Sequence, residues 1–217
     1  MRFGVLGTGI AGRTLASKLV ALGHEVTMGS RSGGNERAVA WASSAGENAH
    51  EGTFRDAAED GEIVINATAG ATSLEALQAA GAENLEGKVL IDVANPLAGD
   101  GFPPTLSVCN TDSLGEQIQR AFPGARVVKA LNTVTAAVMV NPGMISGGHN
   151  VFIAGNDPSA KTEVTTLLQS FGWDAGDVVD LGDISNARGV EMYLPLWIRL
   201  YIGLGTANLN IRIVREP

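Results

Sequence analysis

Short apolar runs of strand length alternate with helix-like patterns along most of the chain. In the helix-like stretches, apolar residues recur every three or four positions, as they do on one face of an amphipathic helix. Such alternation is typical of an α/β fold with a doubly wound, mostly parallel sheet, which we therefore predict. The predicted strands cover residues 2–6, 25–28, 63–67, 88–93, 126–130, 150–154 and 178–181.

The pattern changes after residue 181. One long apolar helix is predicted over 184–204, and the tail "NLNIRIVR" at 208–215 alternates as a strand does. The sequence therefore predicts a main domain over residues 1–182 and a small C-terminal extension, a helix plus a strand, over residues 183–217. We expect this extension to form part of an acceptor site and of a dimer interface.

Three glycines follow the first predicted strand in the pattern G-x-G-x-x-G: Gly7, Gly9 and Gly12. The first glycine permits a tight turn, the second lets a pyrophosphate approach the backbone, and the third allows the next helix to pack closely. The free amides at the start of that helix attract phosphate groups. The motif also occurs as a purely structural turn, but its place between a strand and a helix favours a Rossmann-type dinucleotide site.

The second predicted strand leads into Gly29, Ser30, Arg31 and Ser32. Sites that prefer NAD place a carboxylate here to accept hydrogen bonds from the ribose 2′-hydroxyl, and this segment has none. An arginine makes paired, charge-assisted hydrogen bonds to a phosphate, which favours NADP(H) as the cofactor. The alternative is that Arg31 is a solvated surface charge. Further predicted donors to the 2′-phosphate are Thr8, Asn35 and Arg37.

Ligands of open α/β sheets bind beyond the carboxyl ends of the strands. At these positions the chain has Ala67, Thr68, Asn95 and Asn132, which we predict to contact the cofactor. Asn132 is also a candidate partner of the hydride acceptor. Each residue has a local alternative as a turn or helix-capping residue. The Gly- and Pro-rich connection 95–104 is either a binding loop or a long crossover.

The charge balance argues against a large anionic partner. Lys and Arg number 15 against 23 Asp and Glu, which gives a formal net charge of −8. Long-range attraction to nucleic acid or to an anionic membrane is therefore disfavoured, and a small-molecule redox acceptor is expected. Cys109 is the only cysteine, and no secretory signal pattern is evident, so we expect a cytoplasmic protein.

The apolar segment 193–205 predicts an interface rather than a membrane span. It contains Arg199 and is shorter than the roughly 20 apolar residues that a membrane helix needs. An exposed apolar patch on this helix would favour association, so we predict a homodimer. The residues expected in the patch are Leu194, Trp197, Leu200 and Tyr201.

No metal site is predicted, because His24, His50 and His149 are scattered along the chain. His50 and His149 fall in predicted loops. Hydride transfer needs no metal or nucleophile, since a nicotinamide supplies the chemistry and the protein positions the acceptor. Lys129 and Tyr193 are candidate proton donors to a carbonyl or imine. For Lys129 the alternative is a packed stem whose ammonium reaches solvent.

Five segments, in order along the chain, resemble the NADP oxidoreductases that use the deazaflavin coenzyme F420. They are "GTGIAG", "GHEVTMGSR", "VVKALNTV", "VFIAGNDPSAK" and "LGDISNAR…LPLWIRL". The resemblance spans nearly the whole chain. It implies a homodimer in which hydride passes directly between NADP(H) and the deazaflavin, without a metal. It also implies that the turn 8–12, with Ile10 and Ala11, binds the pyrophosphate, and that Thr8, Ser30 and Arg31 bind the 2′-phosphate.

On the acceptor side, members of that family often carry a histidine where this chain has Asn132. Together with Asn132, three apolar residues are expected to flank the flat acceptor ring: Val134, Leu196 and Leu204. Two of the five segments also resemble the cytosolic NADPH domain of the six-transmembrane metalloreductases, whose acceptor is a flavin. We therefore expect an NADP(H)-dependent oxidoreductase acting on a deazaflavin or flavin-like molecule. The alternatives are a carbonyl or imine reductase and a non-catalytic NADPH-binding sensor.

Overall fold

A computed structural model describes residues 1–99 and 101–216. Across these residues the chain forms an eight-stranded sheet with helices on both faces, and a small hairpin. The strands of the large sheet are β1 (Arg2–Leu6), β2 (Glu25–Ser30), β3 (Ala49–Thr53), β4 (Ile63–Asn66), β5 (Val89–Asp92), β8 (Arg126–Ala130), β9 (Val151–Gly155) and β10 (Val178–Asp180). The hairpin strands are β6 (Leu97–Ala98) and β7 (Thr105–Leu106). The α-helices are α1 (Ile10–Ala21), α2 (Glu36–Ala45), α3 (Phe54–Asp60), α4 (Ser73–Ala80), α5 (Leu114–Ala121), α6 (Ala136–Val140), α7 (Pro158–Phe171) and α8 (Ala187–Leu204).

The strands of the large sheet lie in the order β10-β9-β8-β5-β4-β1-β2-β3. Neighbouring strands run parallel except for β8 and β9, which are antiparallel. From β1 the chain first moves outward to β2 and β3, then crosses back to β4 on the other side of β1. Ligands of such sheets bind where the order reverses. The predicted doubly wound, mostly parallel Rossmann-type sheet is confirmed.

Apolar side chains pack on both faces of the sheet, because its central parallel strands are covered by helices on both sides. On one face Val5 of β1 packs in a cluster with Leu15 of α1. On the other face Leu6 packs in a second cluster that includes Leu77 of α4 and Ala187 of α8. The first turn of α8 therefore belongs to the core that covers the sheet.

No apolar run in the sequence predicts the edge strand β3. Its sequence is AHEGT, and its alanine, Ala49, packs in the core. An edge strand pairs on one side only, here with β2, so few apolar residues are enough to hold it. The prediction that His50 lies in a loop is wrong. This exposed residue is in β3, where its Nε2 lies 3.5 Å from Glu25 Oε1.

The connection that follows β5 folds into the hairpin of β6 and β7. The two strands are antiparallel, with Leu97 opposite Leu106. Asp100, in the predicted loop 95–104, lies outside the described residues. Phe102 is 70% exposed beyond β6. The described part of the connection therefore forms a hairpin at the carboxyl end of β5, and its role as a binding loop stays a prediction.

The tail after α8 does not form the predicted strand in the part of the chain that the structure describes. It returns to the start of β9, where Asn150 N donates to Ile211 O (2.9 Å) and Ile213 N donates to Asn150 Oδ1 (2.7 Å). β9 pairs with β10 through Val151–Ile153 and with β8 through Ile153–Gly155, and these bonds of the tail go to Asn150, which precedes the strand. Within residues 1–99 and 101–216, no helix is long and apolar enough to span a membrane.

Candidate functional site

The glycine turn joins the end of β1 to the start of α1. Gly7 has φ +119°, a backbone conformation that favours glycine. A Cβ on Gly12 would overlap the carbonyl oxygen of Gly7, so helix and strand approach too closely for any side chain. At Gly9, by contrast, a Cβ would meet no atom within 4 Å. The second glycine thus faces open space, as a turn that admits a phosphate requires.

A cavity of about 630 Å³ opens at this turn and extends along the carboxyl ends of β1, β2 and β4. It brings together most of the residues predicted to bind the cofactor: Gly7, Thr8, Gly9, Ser30, Arg31, Asn35, Arg37, Ala67 and Thr68. Gly12 is buried beneath the turn, and Ile10 lines a neighbouring groove between α1 and α2. Asn95 and Asn132 lie beyond the residues that line this cavity.

The segment between β2 and α2 presents Arg31 at the cavity. Its side chain is exposed, and no carboxylate of the described residues forms an ion pair with it. Ser30 Oγ donates to Ser32 O at 2.7 Å. Asn35 caps α2, because its Oδ1 accepts from the backbone N–H of Arg37 (3.1 Å) and of Ala38 (3.3 Å). The guanidinium groups of Arg31 and Arg37 are therefore the cationic donors on this side of the cavity.

The turn after β4 is held by a buried amide. Asn66 Nδ2 donates to Asp92 Oδ1 (2.8 Å) and to Ser73 Oγ (3.1 Å). Asn66 Oδ1 accepts from the hydroxyl of Thr68 (2.6 Å) and from its backbone N–H (3.3 Å). The hydroxyl of Thr68 thus already donates a hydrogen bond to Asn66, and this bond fixes the position of Thr68 in the cavity wall.

Asn95 and Asn132 form a pair between the ends of β5 and β8. Asn132 Nδ2 donates to Asn95 Oδ1 and also to Val190 O, each at 3.0 Å. Asn132 Oδ1 is buried and finds no partner among the described residues. The turn is strained as well, since Leu131 has φ +61°. An amide acceptor without a partner among the described residues therefore lies at the carboxyl end of β8, next to the cavity-lining turns but outside the cavity lining.

Lys129 does not reach solvent, contrary to the prediction of a solvent-reaching ammonium. It is fully buried, and its Nζ lies 2.8 Å from Asp92 Oδ2 and 2.8 Å from Glu191 Oε1. Burial alone lowers the pKa of the ammonium, but these two carboxylates outweigh burial and raise the pKa above its usual value. The group stays charged and is a poor proton donor.

The residues expected around the acceptor ring lie in different environments. Val134 is 6% exposed and packs in the core, so its side chain is not free to contact a flat acceptor ring. Leu196 and Leu204 are 55% and 63% exposed on α8. Leu194, predicted in an exposed dimer patch, is instead buried, with 8% of its surface exposed. Burial raises the pKa of Tyr193, whose hydroxyl has no partner among the described residues.

Sequence reasoning missed several residues at or beneath the site. Phe54 and Glu75, for example, line the cavity from α3 and α4, and no ligand-binding motif in those helices pointed to them. Asp92 and Glu191 hold Lys129. The available signal was that each is an acid within an apolar stretch, "VLID" and "VEMYLPLW". Such an acid is almost never buried without a cationic partner.

The histidines form no metal site in the described ranges, where no group of three metal-ligating side chains is found. His149 is buried beside the start of β9, and its Nε2 lies 3.0 Å from Pro142 O. Its Nδ1 lies 2.8 Å from Asn210 Nδ2. His149 is thus a structural residue that contacts the tail.

Comparison with known proteins places this geometry among reductases. A family described as "NADP oxidoreductase coenzyme F420-dependent" matches residues 2–96. The crystal structure of a putative F420-dependent NADP reductase from Arthrobacter sp. FB24 is similar, with a TM-score of 0.92 and 54% identity, over 98% of this chain and 99% of that one. The F420-dependent NADP reductase of Methanothermobacter marburgensis is 31% identical over 100% of both chains. Metalloreductase STEAP3 of Rattus norvegicus is 30% identical over 90% of this chain, which spans only 38% of that protein.

Proposed function

The chain belongs to the family of coenzyme F420-dependent NADP oxidoreductases, and we propose that it transfers hydride between NADPH and a deazaflavin, coenzyme F420. It is an NADP-dependent oxidoreductase. A flavin-like molecule is the variant acceptor in this proposal. One observation carries the choice of cofactor: at the end of β2 the cavity wall offers Arg31, which has no ion-pair partner among residues 1–99 and 101–216, and residues 29–32 contain no carboxylate.

The residues of the turn fit a dinucleotide. The open space at Gly9 admits a pyrophosphate, and the N-terminus of α1 directs free amides towards it. Arg31 and Arg37 supply guanidinium groups for the 2′-phosphate, with Ser30 and Thr8 beside them. Ala67 and Thr68 continue the wall towards the nicotinamide end. In this proposal the glycine turn binds both dinucleotides equally, and the arginines select the phosphorylated one.

Bound NADPH supplies the hydride, so the chain itself has to bind, orient and exclude water. Asn132 has a buried acceptor oxygen at the carboxyl end of β8, which suits the N–H of a carboxamide. Its orientation is fixed because its amide nitrogen already donates to Asn95 and to Val190. We propose that Asn132 orients the nicotinamide, and that Leu196 and Leu204 contact the acceptor.

A homodimer formed through α8 completes the proposal. Along α8 three apolar side chains are 47–63% exposed: Leu196, Ile202 and Leu204. Val214, in the tail that returns beside β9, is 88% exposed. Contact between two copies would remove this apolar surface from water.

The experiment mixes the purified protein anaerobically with NADPH and, in separate reactions, with coenzyme F420, FMN and a cyclic imine, and follows nicotinamide absorbance. We expect rapid oxidation of NADPH with the deazaflavin. Turnover with the imine alone, abolished in Tyr193→Phe, would instead support an imine reductase that uses this buried hydroxyl. Tight NADPH binding with no turnover on any acceptor would support a sensor.

A further inference from the structure

Three oxygen atoms surround the ammonium of Lys129. Its Nζ donates to Asp92 Oδ2 (2.8 Å) and to Ala94 O (2.5 Å), and it lies 2.8 Å from Glu191 Oε1 in an ion pair. A lysine ammonium has three N–H donors and no acceptor, and carboxylate and carbonyl oxygens are the groups that it can bind. Because the side chain is fully buried, no water competes for these bonds. Lys129 therefore connects three residues inside the protein: Asp92, Ala94 and Glu191.

Two of its contacts lead to the turns after β4 and β5, and the first of these reaches the wall of the dinucleotide cavity. Asp92 also accepts from Asn66 Nδ2 (2.8 Å), and Asn66 in turn accepts from Thr68, which lines the dinucleotide cavity. The bond to Ala94 O fixes the residue that precedes Asn95. Lys129 is thus connected to the turns after both β4 and β5.

The third contact, with Glu191, leads to α8. Glu191 accepts not only from Lys129 but also from the backbone N–H of Leu114 (2.8 Å) and of Gly115 (3.0 Å), at the start of α5. One residue before Glu191, Val190 O accepts from Asn132. The same turn of α8 is therefore fixed to Lys129, to the N-terminus of α5 and to the candidate nicotinamide contact.

We propose that Lys129 is a positioning residue for hydride transfer, which sets the place of α8 relative to the turns after β4 and β5. The proposal rests on the proposed function, since α8 carries the proposed acceptor contacts and the turn after β4 carries Thr68 of the proposed cofactor wall. Lys129 touches neither substrate. It acts through Thr68 on the turn after β4 and through Glu191 on α8. We therefore expect its loss to displace α8 relative to that turn.

A purely stabilising role is the competing explanation. Buried ion pairs are weak evidence for stability, because removing the charges from water offsets much of their attraction. The geometry here offers a discriminating quantity. A stabilising lysine affects unfolding alone, whereas a positioning lysine affects the hydride-transfer step in protein that remains folded.

The test compares Lys129→Met with two other variants. Glu191→Gln keeps the side-chain length and one carbonyl acceptor while removing one charge, so it serves if Lys129→Met does not fold. Lys161→Met is the matched control. Lys161 also binds a carboxylate and a carbonyl, Asp180 Oδ1 at 2.9 Å and Gly182 O at 3.1 Å, but it lies beside the edge strand β10.

We expect folded Lys129→Met to bind NADPH within about threefold of wild type, because its contacts to the phosphates are intact. The kcat with the acceptor should fall about 10- to 100-fold, as a displacement near 1 Å produces. The deuterium isotope effect with NADPH labelled at C4 should rise. Glu191→Gln should likewise lower kcat and raise the isotope effect, and Lys161→Met should change neither quantity.

A folded Lys129→Met with wild-type kcat and isotope effect would overturn the proposal, and so would a wild-type Glu191→Gln if Lys129→Met does not fold. Wild-type protein that turns over no acceptor would refute the proposed function instead. The positioning claim is then decided by the fluorescence of bound NADPH, which reports the surroundings of the nicotinamide. It should change in Lys129→Met and Glu191→Gln but not in Lys161→Met. An unchanged emission in both would reject the claim.

Discussion

Asn95 and Asn132 hold each other through two reciprocal hydrogen bonds. Asn95 Nδ2 donates to Asn132 O at 2.9 Å, and Asn132 Nδ2 donates to Asn95 Oδ1 at 3.0 Å. The pair joins the turns that follow β5 and β8, two adjacent strands whose carboxyl ends meet at the ligand edge. It also leaves Asn132 Oδ1 as the free acceptor. The orientation of that acceptor therefore depends on Asn95.

Asn132→Ala should weaken both the fold and the site. It removes the side-chain hydrogen bonds to Asn95 Oδ1 and to Val190 O, each of which contributes about 0.5–1.5 kcal/mol. We expect a lower urea midpoint and a loss of turnover that exceeds the loss of NADPH affinity. Asn48→Ala, at an exposed asparagine, is the control and should behave as wild type. Equal kinetics in the two variants would contradict the role given to Asn132.

Gly9→Ala and Gly12→Ala should separate binding from folding. A methyl group at Gly9 meets no protein atom within 4 Å, so this variant should unfold at the wild-type urea concentration but bind NADPH more weakly. A methyl group at Gly12 overlaps the Gly7 carbonyl, so that variant should be destabilised by about 1–3 kcal/mol. Calorimetry of NADPH binding and urea unfolding measure the two effects. A Gly9→Ala protein with unchanged affinity would place the phosphates elsewhere.

Arg31→Ala should weaken NADPH far more than NADH, because only NADPH carries the 2′-phosphate. Hydrogen bonds to charged groups contribute about 1.5–3 kcal/mol, so NADPH affinity should fall about 10- to 100-fold. The affinity for NADH should change less than about threefold, since it loses only screened surface attraction. Arg199→Ala, at an exposed arginine of α8, is the control. Equal losses for the two cofactors would remove the argument for NADP(H).

Acid should destabilise the contact between α5 and its neighbours. The Arg120 guanidinium lowers the pKa of Asp112 from 3.8 to about 2, and Arg188 lowers the pKa of Glu116. A carboxyl whose pKa is lower in the folded state stabilises fully above its unfolded pKa, and this stabilisation is lost as the pH falls towards the folded value. The urea midpoint should therefore fall between about pH 5 and pH 2.

Asp112→Asn should flatten this acid dependence slightly, by less than about 1 kcal/mol, because the Arg120 ion pair is partly exposed. Glu47→Gln, at an exposed acid, provides the matched control. A profile of Asp112→Asn that is as steep as that of wild type would mean that the Arg120 contact does not persist in solution.

Leu196→Glu should convert the proposed dimer into a monomer. Leu196 is 55% exposed on α8, and a carboxylate there would have to be desolvated when two copies of α8 meet. Light scattering after size exclusion gives the mass directly. Val39→Glu, on the exposed face of α2, should leave the mass unchanged. A monomeric wild-type protein at working concentration would refute the dimer.

The fold was predictable where strands are buried on both faces. Central strands such as β4, with the sequence IVIN, read as continuous apolar runs, because helices cover both of their sides. The edge strand β3 and the hairpin of β6 and β7 gave no such signal, since they bury few side chains. The tail alternates like a strand, but alternation does not tell whether an unpaired neighbouring strand is available.

The place of the site was predictable where its residues are close in sequence. The glycine turn and Arg31 lie within one β-α-β unit, and the structure brings them to one cavity, while their role in cofactor binding stays a prediction. The environment of Lys129 could not be predicted from the spacing of residues along the sequence. Its partners, Asp92 and Glu191, come from another strand and from α8, and only the tertiary packing brings the three charges together.

The segment between β2 and α2 holds its own shape independently of the arginine side chain. Ser30 binds Ser32, Gly34 N donates to Glu51 at 3.1 Å, and Asn35 caps the helix. In the proposed function, cofactor choice therefore depends on one exposed side chain, and an exchange at position 31 is expected to change it while the glycine turn and the fold of this segment stay as they are.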